Sequence, residues 1–502
     1  MSSAPDDRFR EIYRRAVNPD DPMALRNLFL GRVEAERGAA STRPEFSAAW
    51  RACRVRREVD DETILTARST PRFIKELFNW YFRDDLYGSL RSADHLILSS
   101  GSVDEEQFGL PSVLKQTLVY ALDRDWYGYS DSRGRGPARE AIAELENARI
   151  AGAPYGAEHV AISMGGTFAV SAVADFVLDG STSPEPALCA MPNYPPLVEA
   201  VARRHPVRLV ALNCAEGRTS LKPLIGALLQ RTPAVLLQTV TNPTGTTVDE
   251  TELAELIAAA GPDTMIILDE CHECLGPEQI RSASRADPRV IRINSMSKGF
   301  AIPGLKVGWI VASSAFIAEF YEYASSSYGG PPSFYYTLVE VAARLERMLL
   351  LGITPARREL AMFDGDYGLT MASLTAAWHA FQADRCQRSA ILIRQRQQAA
   401  EALAAAGAQV VAARYSMNLA VALGDDPDGY RTFRDVLDAA GVAVLPGILT
   451  FCLGGGWVRI TSARHPGVLT ESLRKLSSYL TREGVDGDGR AARSGGGAGH
   501  QA

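Results

Sequence analysis

Cysteine is sparse in this chain, with seven scattered through 502 residues. That odd and dispersed set points to reduced thiols rather than a disulfide framework. Charge of one sign is also lacking. The 53 lysines and arginines against 59 aspartates and glutamates leave a net charge of −6, which gives no general attraction for nucleic acid. No run of eighteen or more apolar residues occurs, so no membrane-crossing helix is expected. The opening Met-Ser-Ser-Ala-Pro-Asp-Asp-Arg has no signal-peptide pattern, and a cytoplasmic location is expected. What is present is apolar content: 46% hydrophobic residues over this length support two or more domains with a substantial core.

Residues 1–93 read as a helical arm, with apolar residues at helical spacing around Phe73 to Phe82. Through Asp85 the arm holds sixteen basic and fifteen acidic residues, a balance that argues against a DNA-binding head. From 94 to 337 short apolar strands alternate with helical stretches, the pattern of a mostly parallel sheet covered by helices. Residues 338–396 are rich in Ala, Leu and Arg at helical spacing and read as a helical insertion; 397–483 form a smaller α+β C-terminal domain. The Ser-Gly-Gly-Gly-Ala-Gly stretch makes 484–502 a disordered tail.

The most informative segment is Asn294-Ser-Met-Ser-Lys-Gly-Phe-Ala-Ile-Pro-Gly-Leu-Lys-Val-Gly-Trp309. It puts the amine of Lys298 just after an apolar strand, Val290 to Ile293, and leads through a Pro-Gly turn to Lys306. A lysine amine condenses reversibly with an aldehyde near neutral pH when burial or neighbouring cations lower its pKa. Three more segments precede it in order. Ser163-Met-Gly-Gly-Thr167 opens a helical stretch, whose N-terminal amides suit a phosphate. Thr241-Asn-Pro-Thr-Gly245 follows the strand Ala234 to Leu237, and Asp269-Glu270 ends the strand Met265 to Leu268. Gly166, Asn242, Asp269 and Lys298 are spaced 76, 27 and 29 residues apart. Each motif alone is a common turn, cap or strand end; the ordered set is not.

This set resembles the aspartate-aminotransferase superfamily, the fold-type-I enzymes dependent on pyridoxal 5'-phosphate. The resemblance implies an α/β fold with a mostly parallel, helix-flanked sheet. It makes Lys298 the Schiff-base lysine and the base at the substrate Cα. Asp269 pairs with the pyridinium nitrogen, which keeps the ring an electron sink. Asn242 donates to the phenolic oxygen, while Gly165, Gly166, Thr167 and Ser295 surround the phosphate. Tyr194, in Pro192-Asn-Tyr-Pro-Pro, corresponds to the ring that stacks on the cofactor. Tyr129, with Gly134 and Ala138-Arg139, corresponds to a tyrosine that reaches the phosphate of a neighbouring subunit, which implies a homodimer. Arg459, in Trp457-Val-Arg-Ile-Thr461, corresponds to the arginine that grips an α-carboxylate through two parallel hydrogen bonds.

Two positions depart from the family pattern. Lys306 stands where an arginine usually meets the phosphate, and a point charge cannot make the forked contact. His272 replaces a tyrosine on the phenolic oxygen. Histidine titrates near neutral pH, so one reading makes it a second acid/base or a group that tunes the cofactor's electronics, and the other makes it a simple replacement for the tyrosine. Cys271-His272-Glu273-Cys274 has Cys-x-x-Cys spacing, but no second ligand pair lies near it and it overlaps the Asp269 motif, so no metal is expected. The shared core residues imply chemistry on an α-amino acid and leave the outcome open. Amino-group transfer is the leading reading; a lyase or synthase of specialised metabolism, acting by elimination, replacement or decarboxylation, is the alternative. An aminotransferase-like regulator is a remote third.

Overall fold

The computed structural model describes residues 1, 3–277 and 280–494, with side chains as far as 481. Its centre is a seven-stranded sheet: β1 Val160–Ser163, β2 Ala187–Met191, β3 Val207–Ala211, β4 Ala234–Gln238, β5 Met265–Asp269, β6 Val290–Ser295 and β7 Gly308–Val311. The order across the sheet is β1-β7-β6-β5-β4-β2-β3. β7 runs antiparallel to both its neighbours, and the other pairings are parallel. Central strands of such a sheet are covered on both faces and therefore carry unbroken apolar runs. Leu236, Ile267 and Ile291 are accordingly buried, each contributing about 1.5–3 kcal/mol of burial free energy.

A second sheet, β8 Gln409–Val410, β9 Asn418–Ala422, β10 Leu445–Pro446 and β11 Trp457–Thr461, has the order β8-β9-β11-β10 and is antiparallel. The helix Gly429–Ala440 packs on it. Residues 1–93 fold as successive helices that pack on the helix of this sheet and on the large domain, where Ser69–Trp80 meets Pro195–Ala202. Arg434 meets Glu34 at 2.5 Å, Arg32 meets Asp428 at 2.6 Å, and the Tyr430 hydroxyl bonds Asp85 at 2.6 Å. Leu96–Ile97, placed by the sequence at the start of the large domain, instead pairs with Val442–Ala443.

Three further boundaries differ from the sequence reading. The helix Tyr336–Leu350 crosses the 337/338 boundary. A 35-residue helix, Met371–Ala405, crosses 396/397 because Gln395 to Ala406 is an unbroken run of good helix formers. It ends at Gly407, whose φ of 95° is the left-handed conformation that glycine adopts freely. The final helix, Pro466–Ser494, continues through 484–494, where disorder was expected; adding residues to an existing helix is far easier than nucleating one. The rest of that expected tail, 495–502, lies outside the described residues. No helix among the described residues is long and apolar enough to cross a membrane.

Candidate active site

The parallel strands deliver their last residues to one edge, the position where open α/β sheets bind ligands. β5 ends at Asp269, β4 at Gln238 and β6 at Ser295, and the turns beyond them carry His272, Asn242 and Lys298. These residues line one cavity of about 280 Å³ together with Met164 to Thr167, Tyr194, Lys306 and Arg459. Every residue the sequence assigned to a site is therefore brought together except Tyr129, which is fully exposed on the surface.

Asp269 is buried and held from two sides: Gln238 Nε2 donates to its Oδ2 at 2.8 Å, and the Cys271 amide donates to its Oδ1 at 3.1 Å. Gln238 and Asp269 are register partners on adjacent strands, which is why the pair forms. Beneath them runs a buried ionic network. Glu270 accepts from Arg292 at 2.7 Å and Arg285 at 2.6 Å; Arg292 also reaches Glu146 at 2.5 Å, and Arg285 also reaches Glu273 at 2.8 Å. Each charge in the network has a direct partner, the condition under which buried ions are tolerable. The network pins the segment that presents Asp269 and His272.

Lys298 is partly buried, and its amine donates to the Gly101 carbonyl. Burial, then the nearby Arg459 guanidinium, lowers its pKa below the ordinary lysine value, which favours the neutral, nucleophilic amine. Arg459 is itself buried, and burial pulls it down to about 10. Its two terminal nitrogens donate to Asn242 Oδ1 at 3.2 Å and the Ser99 carbonyl at 2.8 Å, while buried Nε has no protein partner. Asn418 also donates to Asn242 Oδ1, at 3.5 Å, and its own Oδ1 is buried without a partner.

The surroundings of His272 favour the second of its two readings. Burial, with Lys298 and Arg459 nearby, pushes it down to about 3 rather than leaving it to titrate near neutrality. Its Nδ1 lies 2.9 Å from Ser416 Oγ, and that oxygen accepts the Asn418 amide at 3.3 Å. The serine proton is thus available to Nδ1, an arrangement satisfied when the imidazole proton sits on Nε2. This surrounding favours the neutral imidazole, which can still donate or accept a hydrogen bond.

The glycines form a cradle. Gly165 caps the thirteen-residue helix Gly166–Leu178 with φ at 81°, and a Cβ on Gly166 would stand 2.6 Å from Cys271 Sγ. Backbone amides are left open at the helix N-terminus, beside exposed Thr167, buried Ser295 and exposed Lys306. A reactive lysine, a buried carboxylate at a strand end, a phosphate cradle and unpartnered polar atoms at Arg459 and Asn418 fit pyridoxal phosphate. Gln238, Asn418, Ser416 and the network escaped the sequence reading. Only Gln238 had a signal there, as the polar end of an apolar strand just before the Asn242 motif. Phe78 and Phe82, from the N-terminal segment, also line the cavity.

The fold and this lysine–carboxylate–arginine arrangement define a fold-type-I pyridoxal-phosphate enzyme. The family model described as aminotransferase class I and II matches residues 93–355, just over half of the chain, and the chain belongs to that family. Its cofactor is pyridoxal phosphate, and its activity is amino-group transfer. The chain is 26% identical over 295 residues to methionine aminotransferase of Escherichia coli, covering 54% of this chain and 75% of that one. It is 31% identical over 250 residues to arginine–pyruvate transaminase of Pseudomonas aeruginosa, covering 48% and 61%. In structure it is similar to the aromatic aminotransferase of Pyrococcus horikoshii, with a TM-score of 0.63 and 22% identity over 78% of this chain and 97% of the other.

Proposed function

We propose that this chain transfers the amino group of an α-amino acid whose carboxylate is bound by Arg459, with Lys298 carrying the proton at Cα. The observation behind this is that the Lys298 amine, the Asp269 carboxylate and the Arg459 guanidinium face one cavity. When bound, pyridoxal phosphate supplies an aldehyde for amine exchange and a ring that accepts the electron pair released at Cα. Asp269, held by Gln238 and the Cys271 amide, offers a fixed negative charge to the ring nitrogen. Asn242 and neutral His272 provide hydrogen bonds for the phenolic oxygen. Tyr194 would stack on the ring, and Ser295, Thr167, Lys306 and the helix N-terminus would hold the phosphate. Lys298, its pKa lowered, would take the Cα proton as a neutral amine and deliver it to the carbon of the cofactor's former aldehyde, the shift that amino-group transfer requires. Arg459 fixes the carboxylate and with it the direction of the Cα–H bond.

The fully exposed Tyr129 ring supports a homodimer in which it serves the phosphate of the partner copy. We place the enzyme in the cytoplasm. The relatives carry names for different donors, methionine and arginine among them, so the family alone does not select one.

The test is to load the protein with pyridoxal phosphate, reduce with borohydride and map the modified peptide. The expected adduct is on Lys298, with none in Lys298→Ala. The loaded protein is then given amino acids without a keto-acid acceptor. One equivalent of pyridoxamine phosphate, consumed on adding a keto acid, is expected; sustained turnover with release of a side-chain fragment would overturn amino-group transfer.

A further inference from the structure

Two aromatic rings come into the cavity from outside the family-matched segment. Phe78 lies on the helix Ser69–Trp80 and Phe82 on the π-helical turn Tyr81–Ser89 that continues it. A π turn widens the helix and is a frequent feature of functional sites. Phe78 meets Tyr194 edge-on at 5.7 Å between ring centroids, and Phe82 meets Phe78 at 4.9 Å. A continuous aromatic run thus leads from the ring assigned to the cofactor through Phe78 and Phe82 to the exposed Tyr87, which stacks on Phe82 at 6.4 Å.

The turn carrying these rings is anchored. The Tyr81 hydroxyl donates to the Val444 carbonyl at 2.8 Å, and Asp85 is fixed by Tyr430 at 2.6 Å and Arg43 at 2.5 Å. The turn is therefore held at two buried points, and its rings line the same cavity as Arg459. Arg459, Lys298, Phe78 and Phe82 all line that cavity, so a substrate held by its carboxylate and amino group has these rings within its site. Rings exclude water and give a charged side chain no hydrogen bond, so a distal carboxylate placed there would lose hydration uncompensated. A benzyl or indolyl group would instead gain burial and edge-to-face contact.

We propose that Phe78 and Phe82 form the specificity wall of the site and select α-amino acids with a large apolar, above all aromatic, side chain. This rests on the assignment of Arg459 as the carboxylate anchor. The test uses the pyridoxal-phosphate-loaded enzyme and unreactive carboxylates, with affinities from calorimetry: propionate, 3-phenylpropionate and succinate. The expected order places 3-phenylpropionate at least about tenfold above both others. Phe82→Ala should lower the ratio of 3-phenylpropionate to propionate affinity about tenfold or more. Phe82→Leu, a smaller disturbance of the fold, should lower it part of the way. The ratio of kcat/KM for phenylalanine to that for alanine should fall in parallel. Succinate binding tighter than 3-phenylpropionate, or a ratio that neither Phe82 variant moves, overturns the wall and leaves the carboxylate anchor standing. Failure of all three carboxylates to bind overturns the anchor and the wall together.

Discussion

The floor and the roof of this cavity are built on opposite principles. The floor is the carboxyl edge of the parallel sheet: Asp269, Asn242, Ser295 and Lys298 sit at or just past strand ends whose positions follow from backbone pairing. The roof comes from parts distant in sequence, the arm carrying Phe78 and Phe82 and the small sheet carrying Asn418 and Arg459. A floor fixed by hydrogen-bonded strands suits chemistry that every relative must perform. A roof assembled from an arm and a second domain can vary its contacts without moving the floor. The division accounts for a family that shares one cofactor and differs in donor.

The comparison is broken most directly at the network under the floor. Arg292 is buried and neutralises Glu270 and Glu146. Arg292→Ala leaves those carboxylates with less compensation, and removing one member of a buried ionic cluster costs about 3–5 kcal/mol. Urea unfolding should show a loss of that size, with weaker pyridoxal phosphate binding, because Glu270 is the chain neighbour of Asp269. A loss below about 1 kcal/mol would mean that the strands alone hold the floor.

The roof should respond differently. Arg459→Ala removes a charged hydrogen-bonding group, and such bonds contribute about 1.5–3 kcal/mol, or roughly 10–150-fold in affinity. Carboxylate binding should fall by that factor while cofactor capture on Lys298 persists. Arg459→Lys keeps the charge without the planar fork and should recover only part of the loss. Equal loss of cofactor and carboxylate binding would assign Arg459 to the fold and erase the distinction between floor and roof.

The same division explains what could be read in the sequence. The floor was legible because its residues occur in short motifs tied to strand ends, as with Asn242 after Ala234–Gln238 and Asp269 closing Met265–Asp269. Arg459 was read from its resemblance to the family's carboxylate-binding arginine. Phe78 and Phe82 were not, since two aromatics four apart on a helix look the same whether they face a core or a ligand. Gln238 pairs with Asp269 only once β4 and β5 are known to be neighbours. The run beyond 396 has helix-forming composition, but a domain boundary was placed across it; only Gly407 marks where the helix stops.

His272 lies at the seam, on the floor by sequence and bonded to Ser416 of the small domain, so it tests whether the two halves are coupled. Its position was legible and its charge state was not, because burial and the proximity of Lys298 and Arg459 are properties of the folded chain. The folded value of about 3 lies below the ordinary histidine value of 6.5. Between these values the unfolded chain binds a proton that the folded chain refuses. Stability therefore rises with pH through that window, by at most about 1.4 kcal/mol per pH unit, and is lost as pH falls from 6.5 toward 3. Above 6.5 both states hold His272 neutral and it contributes no slope. His272→Asn, which can keep the bond to Ser416 but cannot titrate, should flatten the acid limb of a urea-midpoint profile and leave the limb above pH 7 parallel to that of the parent protein. Parallel acid limbs would mean that His272 is protonated in the fold, restoring it as an acid/base group and placing the seam in contact with solvent.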